Sequence, residues 1–423
     1  MKKIYLSLVG ILILSSNSFS QNQSFDATNA RDGESVEYCT THKKRNELLL
    51  NPQAAASFAQ DEIIRQQELQ NMPFQEKAVV YIPIVFHILH NGGSENISDE
   101  QIMDQFNILN RDFRLMNSDA ANVHADFQGL PADIEIEFRL ATKAPNGVCF
   151  SGITRTQSPL SYDGSNGSAQ VNAVRNGNNV YNGNWPSNKY LNIYIVAEAG
   201  GAAGYTMTPN NWGGTDMYNG IWILHNYVGS IGTSTTFSSR AVTHEVGHWL
   251  NLEHVWGPNN NPGNAASCGD DDGVADTPNE IGVTSCNLNE ATCGPRANVE
   301  NYMDYSYCSK MFTPGQGTRM RNALNSSVGG RNNLKTAQNL IDTGADGVMV
   351  LCRAEFSSDK SSVCAGTVIQ FTDETYNAAN GWTWTFDGGT PASSTAQNPS
   401  VTYNTPGVYA VTLVATDGGS NDT

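Results

Sequence analysis

The chain has 423 residues, a formal net charge of −17 and only 15% charged residues. The acidic balance excludes a nucleic-acid binder built on basic patches, and the length implies more than one domain. Thirty-nine glycines, with many Asn, Ser and Thr, fit a loop-rich exported protein.

The start Met1-Lys2-Lys3 is basic and leads into an apolar run over residues 4–14, then Ser18-Phe19-Ser20 before Gln21. Small residues at the −3 and −1 positions predict cleavage after Ser20, giving a signal peptide at 1–20 and a secreted, extracellular mature protein. The apolar run is too short for a permanent membrane anchor, and no later stretch approaches the required length. Residues 21–77 are polar, with a helical pattern over 54–69 and no expected strand; they read as a pro-segment. Cys39 stands alone there, in Glu37-Tyr38-Cys39-Thr40-Thr41-His42.

A compact domain is expected over residues 78–336. Residues 79–89 (VVYIPIVFHIL) open it as a strand. Ser98-Asp99-Glu100-Gln101 forms a capping box before an amphipathic helix over 102–115. Residues 134–140 and 190–196 read as further strands, and 220–227 as the last strand before a helix that Ser238 or Ser239 can cap. This order is α+β: a mixed twisted sheet with a backing helix, then a site helix. His87, His90 and His225 lie in or beside strands and read as structural or rim residues.

The run His244-Glu245-Val246-Gly247-His248-Trp249-Leu250-Asn251-Leu252-Glu253-His254 concentrates three imidazoles and a carboxylate at metal-ligand spacing. Residues four apart share a helix face, so His244 and His248 can offer ring nitrogens to one zinc ion. Glu245 then reaches a water on that ion and serves as general base. His254, on a continued helix, would lie about 15 Å along the axis and roughly 80° off the ligand face. It joins the same ion only if the helix stops, and Asn251 is a residue that tolerates the left-handed turn this needs. The pattern resembles the metzincin motif, with Asn251 where that family has glycine.

Downstream, Glu300-Asn301-Tyr302-Met303-Asp304-Tyr305-Ser306 resembles the metzincin Met-turn. The resemblance implies Met303 as a soft floor beneath the imidazoles and Tyr305 as a hydrogen-bond donor to the oxyanion of peptide hydrolysis. The lone Cys39 has two readings: a latency plug whose thiolate takes the open zinc position, or a disulfide to Cys149. Cys268, Cys286, Cys293 and Cys308 cluster between the zinc motif and the end of the Met-turn. Two disulfides with three connectivities suit them better than a second zinc site, because paired short spacings are missing. Residues 268–278 (CGDDDGVADTP) group oxygen ligands on a glycine-containing loop. Calcium with Asp272, Asp276 and Thr277 is preferred over a solvated acidic turn, because four carboxylates repel without a cation.

A helix near 317–324 precedes a linker at 337–350. From Cys352 the pattern changes to short β segments at 354–357, 367–372, 381–386, 400–403 and 408–415, as in a β-sandwich. Trp384-Thr385-Phe386-Asp387-Gly388 and Pro406-Gly407-Val408-Tyr409 resemble a PKD-like module over 351–423. The module is expected to lack its last strand at Thr423, with the natural polypeptide longer.

Taken together, zinc helix, Asp-rich loop, cysteine cluster and Met-turn over residues 79–324 resemble the pappalysin family of secreted metzincins. The resemblance implies pairing of Cys268 with Cys293 and Cys286 with Cys308, calcium near Asp272 and Thr277, and protein or peptide substrates. Some members prefer a basic residue just after the scissile bond, supported by an acidic residue shortly past the Met-turn. Here that stretch is Tyr307-Cys308-Ser309-Lys310, which departs from the pattern. The expected function is a zinc-dependent endopeptidase made as a latent zymogen, with Glu245 and Tyr305 catalytic. The alternatives are a non-catalytic binding or adhesion protein and a zinc hydrolase of a non-peptide amide or ester. The β-sandwich is expected to act as a spacer or to bind a surface, polysaccharide or protein.

Overall fold

A computed structural model describes residues 30–31, 33–70, 78–164, 167–348, 351–375, 379–419 and 421–423; the expected signal peptide lies outside them. The chain runs through β1 (Glu37–Cys39), α1 (Thr41–Leu49), α2 (Pro52–Gln70), β2 (Val80–His90), α3 (Asp99–Phe113), β3 (Ile136–Leu140), β4 (Ile153–Gln157) and α4 (Gly167–Gly177). Then come β5 (Leu191–Val196), β6 (Ala202–Thr206), β7 (Ile221–Leu224) and α5 (Ala241–Trp249). β2 is rich in β-branched and aromatic residues and buried on both faces, as a parallel strand between two layers must be.

The strands form a seven-stranded sheet of order β1-β6-β7-β5-β2-β3, with β4 continuing beyond β3 along the second half of β2. β6 meets β7 antiparallel, whereas the other neighbouring pairs are parallel. β1 and β6 therefore run against the rest of the sheet. α5 packs on β6 and β7, and α3 contacts both α5 and β3. One core binds these layers, including Phe86, Ile195, Trp222, Val246 and Trp249. Among the described residues no helix is long and apolar enough to cross a membrane.

Three sequence expectations are revised. Residues 21–77 do contain a strand: β1 adds to the sheet edge parallel to β6, with Glu37 N donating to Gly201 O and Thr40 N to Gly204 O, both at 3.3 Å. α3 begins at Asp99, with Ser98 Oγ accepting from Gln101 N at 3.3 Å; the residues after the cap form the first helical turn themselves. α5 has Arg240 at its N-cap and no side-chain cap. The Ser238 and Ser239 hydroxyls instead fold back onto the carbonyls of Thr235 and Thr236. Arg240 and the Thr243 hydroxyl anchor that end of the helix to the buried Asp112 of α3.

Beyond the site loops come α6 (Pro314–Ala323), α7 (Arg331–Leu334) and α8 (Ala337–Thr343). α8 occupies residues expected as linker. Its Thr343 carbonyl accepts from Thr142 N and Lys143 N at 2.9 and 3.1 Å, and Gly344 closes it at φ 64°. The final unit comprises β8 (Phe356–Ser358), β9 (Val368–Asp373), β10 (Gly381–Phe386), β11 (Ser393–Ser394), β12 (Ser400–Thr402), β13 (Val411–Thr416) and β14 (Asn421–Asp422). Sheets β11-β10-β13-β14 and β12-β9-β8 enclose Ile369, Phe371, Trp384, Phe386 and Leu413. β14 pairs antiparallel with β13, so a further strand follows where the sequence pattern had none.

Candidate metal centre and active site

α5 buries all nine of its residues, so its histidines reach the site already desolvated. The helix ends because Asn251 adopts φ 77°, the left-handed conformation that the spacing demands. Leu252 N returns to Gly247 O at 2.9 Å, and Arg319 Nε donates to Asn251 O at 2.6 Å. The turn brings His254 back to its partners. His248 Nε2 lies 3.1 Å from both His244 Nε2 and His254 Nε2.

Each ring is oriented by its other nitrogen. Nδ1 of His244, His248 and His254 meets the carbonyls of Tyr302, Leu252 and Asn259 at 2.7, 2.8 and 2.8 Å. These contacts place the proton on Nδ1 and leave three Nε2 lone pairs facing one point. Burial holds the His244 imidazole down to about 3 and those of His248 and His254 well below the usual value, so all three are neutral donors. Three converging lone pairs without protons between them fit a cation; tetrahedral zinc at about 2.0–2.1 Å separates its nitrogens by roughly 3.3 Å. Cys39 Sγ completes the cluster, all four ligand atoms lying within 4.8 Å of one another.

The floor is the turn at Met303, fully buried. A β-carbon on Gly247 would collide with the Met303 sulfur, which is why the helix carries glycine there. Glu245 is buried, and burial pushes its carboxyl up to about 8 despite hydrogen bonds from Cys39 and Thr41. Its Oε2 accepts from the Thr41 hydroxyl at 3.0 Å. The Tyr305 hydroxyl donates to Cys39 O at 2.7 Å and accepts from Asn260 Nδ2 at 2.7 Å. β1, with the start of α1, thus sets one polar group against each functional group, two of them from Cys39 and one from Thr41.

The structure brings His244, Glu245, His248, His254, Tyr305 and Cys39 together. It pairs Asp272 with Thr277, whose hydroxyl lies 2.8 and 2.9 Å from the two carboxylate oxygens. Asp276 is not brought to that pair: its carboxylate accepts from the Thr313 hydroxyl at 2.6 Å and Gly315 N at 2.7 Å, at the start of α6. Cys149 bonds Cys352 and Cys39 is a free thiol, which overturns the Cys39–Cys149 alternative. The other bridges are Cys268–Cys293 and Cys286–Cys308, the pairing that the resemblance implies.

Several site residues have no sequence signal of their own. Trp256 stacks on His254 with centroids 4.3 Å apart and meets Tyr305 edge-on. Asn260 reaches Tyr305 and the Cys39 carbonyl. Glu253 takes His42 and, at 2.8 Å, Arg45. Their roles arise from contacts far apart in the chain; the adjacency of Glu253 to the third histidine was the one available hint.

Among curated proteins, an extracellular metalloprotease of Trichophyton verrucosum is 30% identical over 251 residues, covering 57% of this chain and 77% of the relative. One from Colletotrichum graminicola is 29% identical over 263 residues, covering 59% and 77%. The Peptidase_M43 profile, described as pregnancy-associated plasma protein-A, matches residues 175–325, and a PKD domain profile matches 353–423. The chain belongs to the pappalysin family. Solved structures agree with that. Mature mirolysin of Tannerella forsythia in complex with a cleaved peptide aligns with TM-score 0.55 and 34% identity, covering 63% of this chain and 99% of that one. A promirolysin mutant from the same organism aligns with TM-score 0.59 and 31% identity, covering 70% and 97%. This pappalysin is a zinc metalloprotease with a mixed α+β, mirolysin-like metzincin fold followed by a PKD module.

Proposed function

We propose that the chain is a secreted, extracellular endopeptidase made as a latent zymogen, with a signal peptide at residues 1–20 and a pro-segment at 21–77. The observation that carries this reading is the convergence of three neutral imidazoles beside the buried Glu245 and Tyr305, with one pro-segment group on each function. Held by His244, His248 and His254, a zinc ion supplies Lewis acidity toward water and the scissile carbonyl. Glu245, raised to about 8 by burial before any cation is bound, accepts a proton from the attacking water and returns it to the leaving amine. Tyr305, whose hydroxyl already donates to a peptide carbonyl here, donates to the oxyanion of the tetrahedral intermediate.

Latency follows from the same contacts. The Cys39 sulfur stands at the fourth ligand position, the Thr41 hydroxyl occupies the Glu245 carboxylate, and the Cys39 carbonyl occupies Tyr305. Removing the segment frees all three at once.

Calcium belongs to this proposal as well, with Asp272 and Thr277 as its ligands and Asp276 left to cap α6. Burial pushes the Asp272 carboxyl up to about 6, and a hard cation at that oxygen offsets the cost of burying its charge.

Digestion of casein with and without a chelator tests the activity: chelator-sensitive cleavage supports a protease over an adhesion protein or a non-peptide hydrolase. Glu245→Ala is expected to keep stoichiometric zinc by mass spectrometry while hydrolysis falls about 10²–10⁴-fold. Full activity in that variant would sink the assignment.

A further inference from the structure

The residue before Cys39 fills a compartment beside the metal centre. The Tyr38 ring is fully buried and meets His244 and Tyr305 edge-on, with centroids 5.2 and 5.3 Å away. Arg31 closes over its outer face. The Arg31 guanidinium carbon lies 4.2 Å from the Tyr38 ring centre and 4.7 Å from that of Phe237, with Tyr227 at 6.0 Å. Phe237 in turn stacks on Tyr307, centroids 4.7 Å apart. The result is a layered stack in which the pro-segment contributes a ring and a guanidinium and the catalytic domain contributes the aromatic walls.

Charge separates the two guests. Arg31 forms its ion pair with Glu34, at 2.5 Å, and Glu34 belongs to the same segment, so that carboxylate departs with it. The stretch past the Met-turn, Tyr307-Cys308-Ser309-Lys310, offers no acid, and Lys310 is engaged by Glu300 at 2.5 Å. A cationic side chain entering the vacated space keeps ring-face attraction, about 0.5–2 kcal/mol, and meets opposing fields from Glu245 and Arg240, against the cost of its own desolvation. An aromatic side chain recovers the edge-to-face contacts that Tyr38 makes with His244 and Tyr305 and buries its inner face, while its outer face opens onto the layer that Arg31 leaves.

We propose that, once the pro-segment is gone, this compartment selects an aromatic side chain at a position adjoining the scissile bond, in the place where Tyr38 meets His244 and Tyr305 edge-on, with Phe237 lining only the outer layer that Arg31 leaves. The inference rests on the endopeptidase reading above. It assigns the pocket to Tyr or Phe rather than to the basic side chain preferred by some relatives.

The test uses the full-length chain, activated by limited proteolysis and given a peptide library whose cleavage sites are mapped by mass spectrometry with a chelator control. Tyr and Phe together are expected at one adjoining position roughly tenfold or more above Arg and Lys. Phe237→Leu removes the ring face that holds a guanidinium while keeping apolar volume, so it is expected to lower kcat/KM for an Arg peptide more than for a Tyr peptide and to widen the Tyr-to-Arg ratio, with zinc content unchanged. Enrichment of Arg or Lys, no preference at either adjoining position, or a Tyr-to-Arg ratio that fails to widen in Phe237→Leu overturns the pocket while chelator-sensitive cleavage leaves the protease reading standing. Absence of any chelator-sensitive cleavage overturns both.

Discussion

Residues 37–42 and helix α2 both precede the catalytic domain, yet they hold it by different means. From Glu37 to His42 every residue is buried, as deeply as the core of the domain itself. α2 buries only Ala54 and Asp61 and holds on by the tips of polar side chains. Asp61 accepts from Asn211 N and Nδ2 at 2.8 and 2.6 Å, Arg65 donates to Pro209 O at 2.9 Å, and Glu68 takes the hydroxyls of Ser326 and Ser327 at 2.5 and 2.6 Å. A cavity of about 400 Å³ remains between α2 and the domain. The first stretch behaves as part of the interior and the second as a wet strap. On the proposed latency, blocking the site depends on a few residues next to Cys39, while α2 adds length and tether.

The largest break in that comparison comes from Cys39→Ala. It removes the fourth donor while leaving β1 paired, and hydrolysis by the uncleaved chain is expected to rise about tenfold or more, equivalent to ~1.4 kcal/mol or more of lost docking. A chain that stays silent would move the block from the sulfur to Tyr38 and Thr41. Asn251→Ala tests the seat beneath the plug instead. A β-carbon without the Asn side chain costs about 1–2 kcal/mol in the left-handed region, so competition against a chelator should show weaker zinc retention and Asn251→Gly should restore it.

Acid should separate the pro-segment from the floor of the site. Burial would raise Glu253, but the His42 hydrogen bond and the Arg45 charge hold it well below the carboxylate range; Glu68 is likewise held low by Ser326 and Ser327 against a smaller burial cost. With folded values depressed, their contribution to the grip is present above about pH 4.3 and is lost as pH falls through the folded values. Asp304, in the Met-turn itself, and the buried Glu280, which accepts from Asn298 N, behave in the opposite sense. Burial raises both, Asp304 to about 7, so their contribution is full below the ordinary carboxylate range, about pH 4, and is lost progressively as pH rises toward the folded values. Hydrogen exchange is expected to show the pro-segment loosening below about pH 4, an effect that Glu253→Gln reduces and Glu253→Gln with Glu68→Gln abolishes. Thermal melts are expected to fall as pH rises from about 4 to about 7, with Asp304→Asn flattening that slope. The reverse order would refute the assignment of both groups. The smallest effect belongs to the strap: Asp61→Ala or Glu68→Ala should speed proteolytic nicking of α2 while changing hydrolysis by the uncleaved chain about twofold or less.

What could be read in the sequence was whatever the chemistry confines to a few neighbouring residues. The spacing of His244, His248 and His254 already demanded a left-handed Asn251, because helix geometry admits no other route to a shared ion. β2 was legible because its apolar run is long. β1 was not, because three residues show no alternation and its partner strand β6 lies more than 160 residues away. The caps at Ser238 and Ser239 failed because both hydroxyls found carbonyls one turn earlier, a choice made by the preceding loop. Asp276 read as a loop ligand because its true neighbours, Thr313 and Gly315, lie 37 and 39 residues downstream. Trp256, Asn260 and His42 join the site through tertiary contacts alone.

The bridge between Cys149 and Cys352 spans 203 residues and encloses the zinc helix, the Met-turn and α8. A single backbone cut anywhere inside that interval leaves one covalent molecule. On a non-reducing gel the nicked protein should migrate as if whole, and only a reductant should resolve the fragments. In the oxidising medium expected outside a cell, the PKD module would stay on the enzyme through self-digestion that a plain peptide linker would not survive.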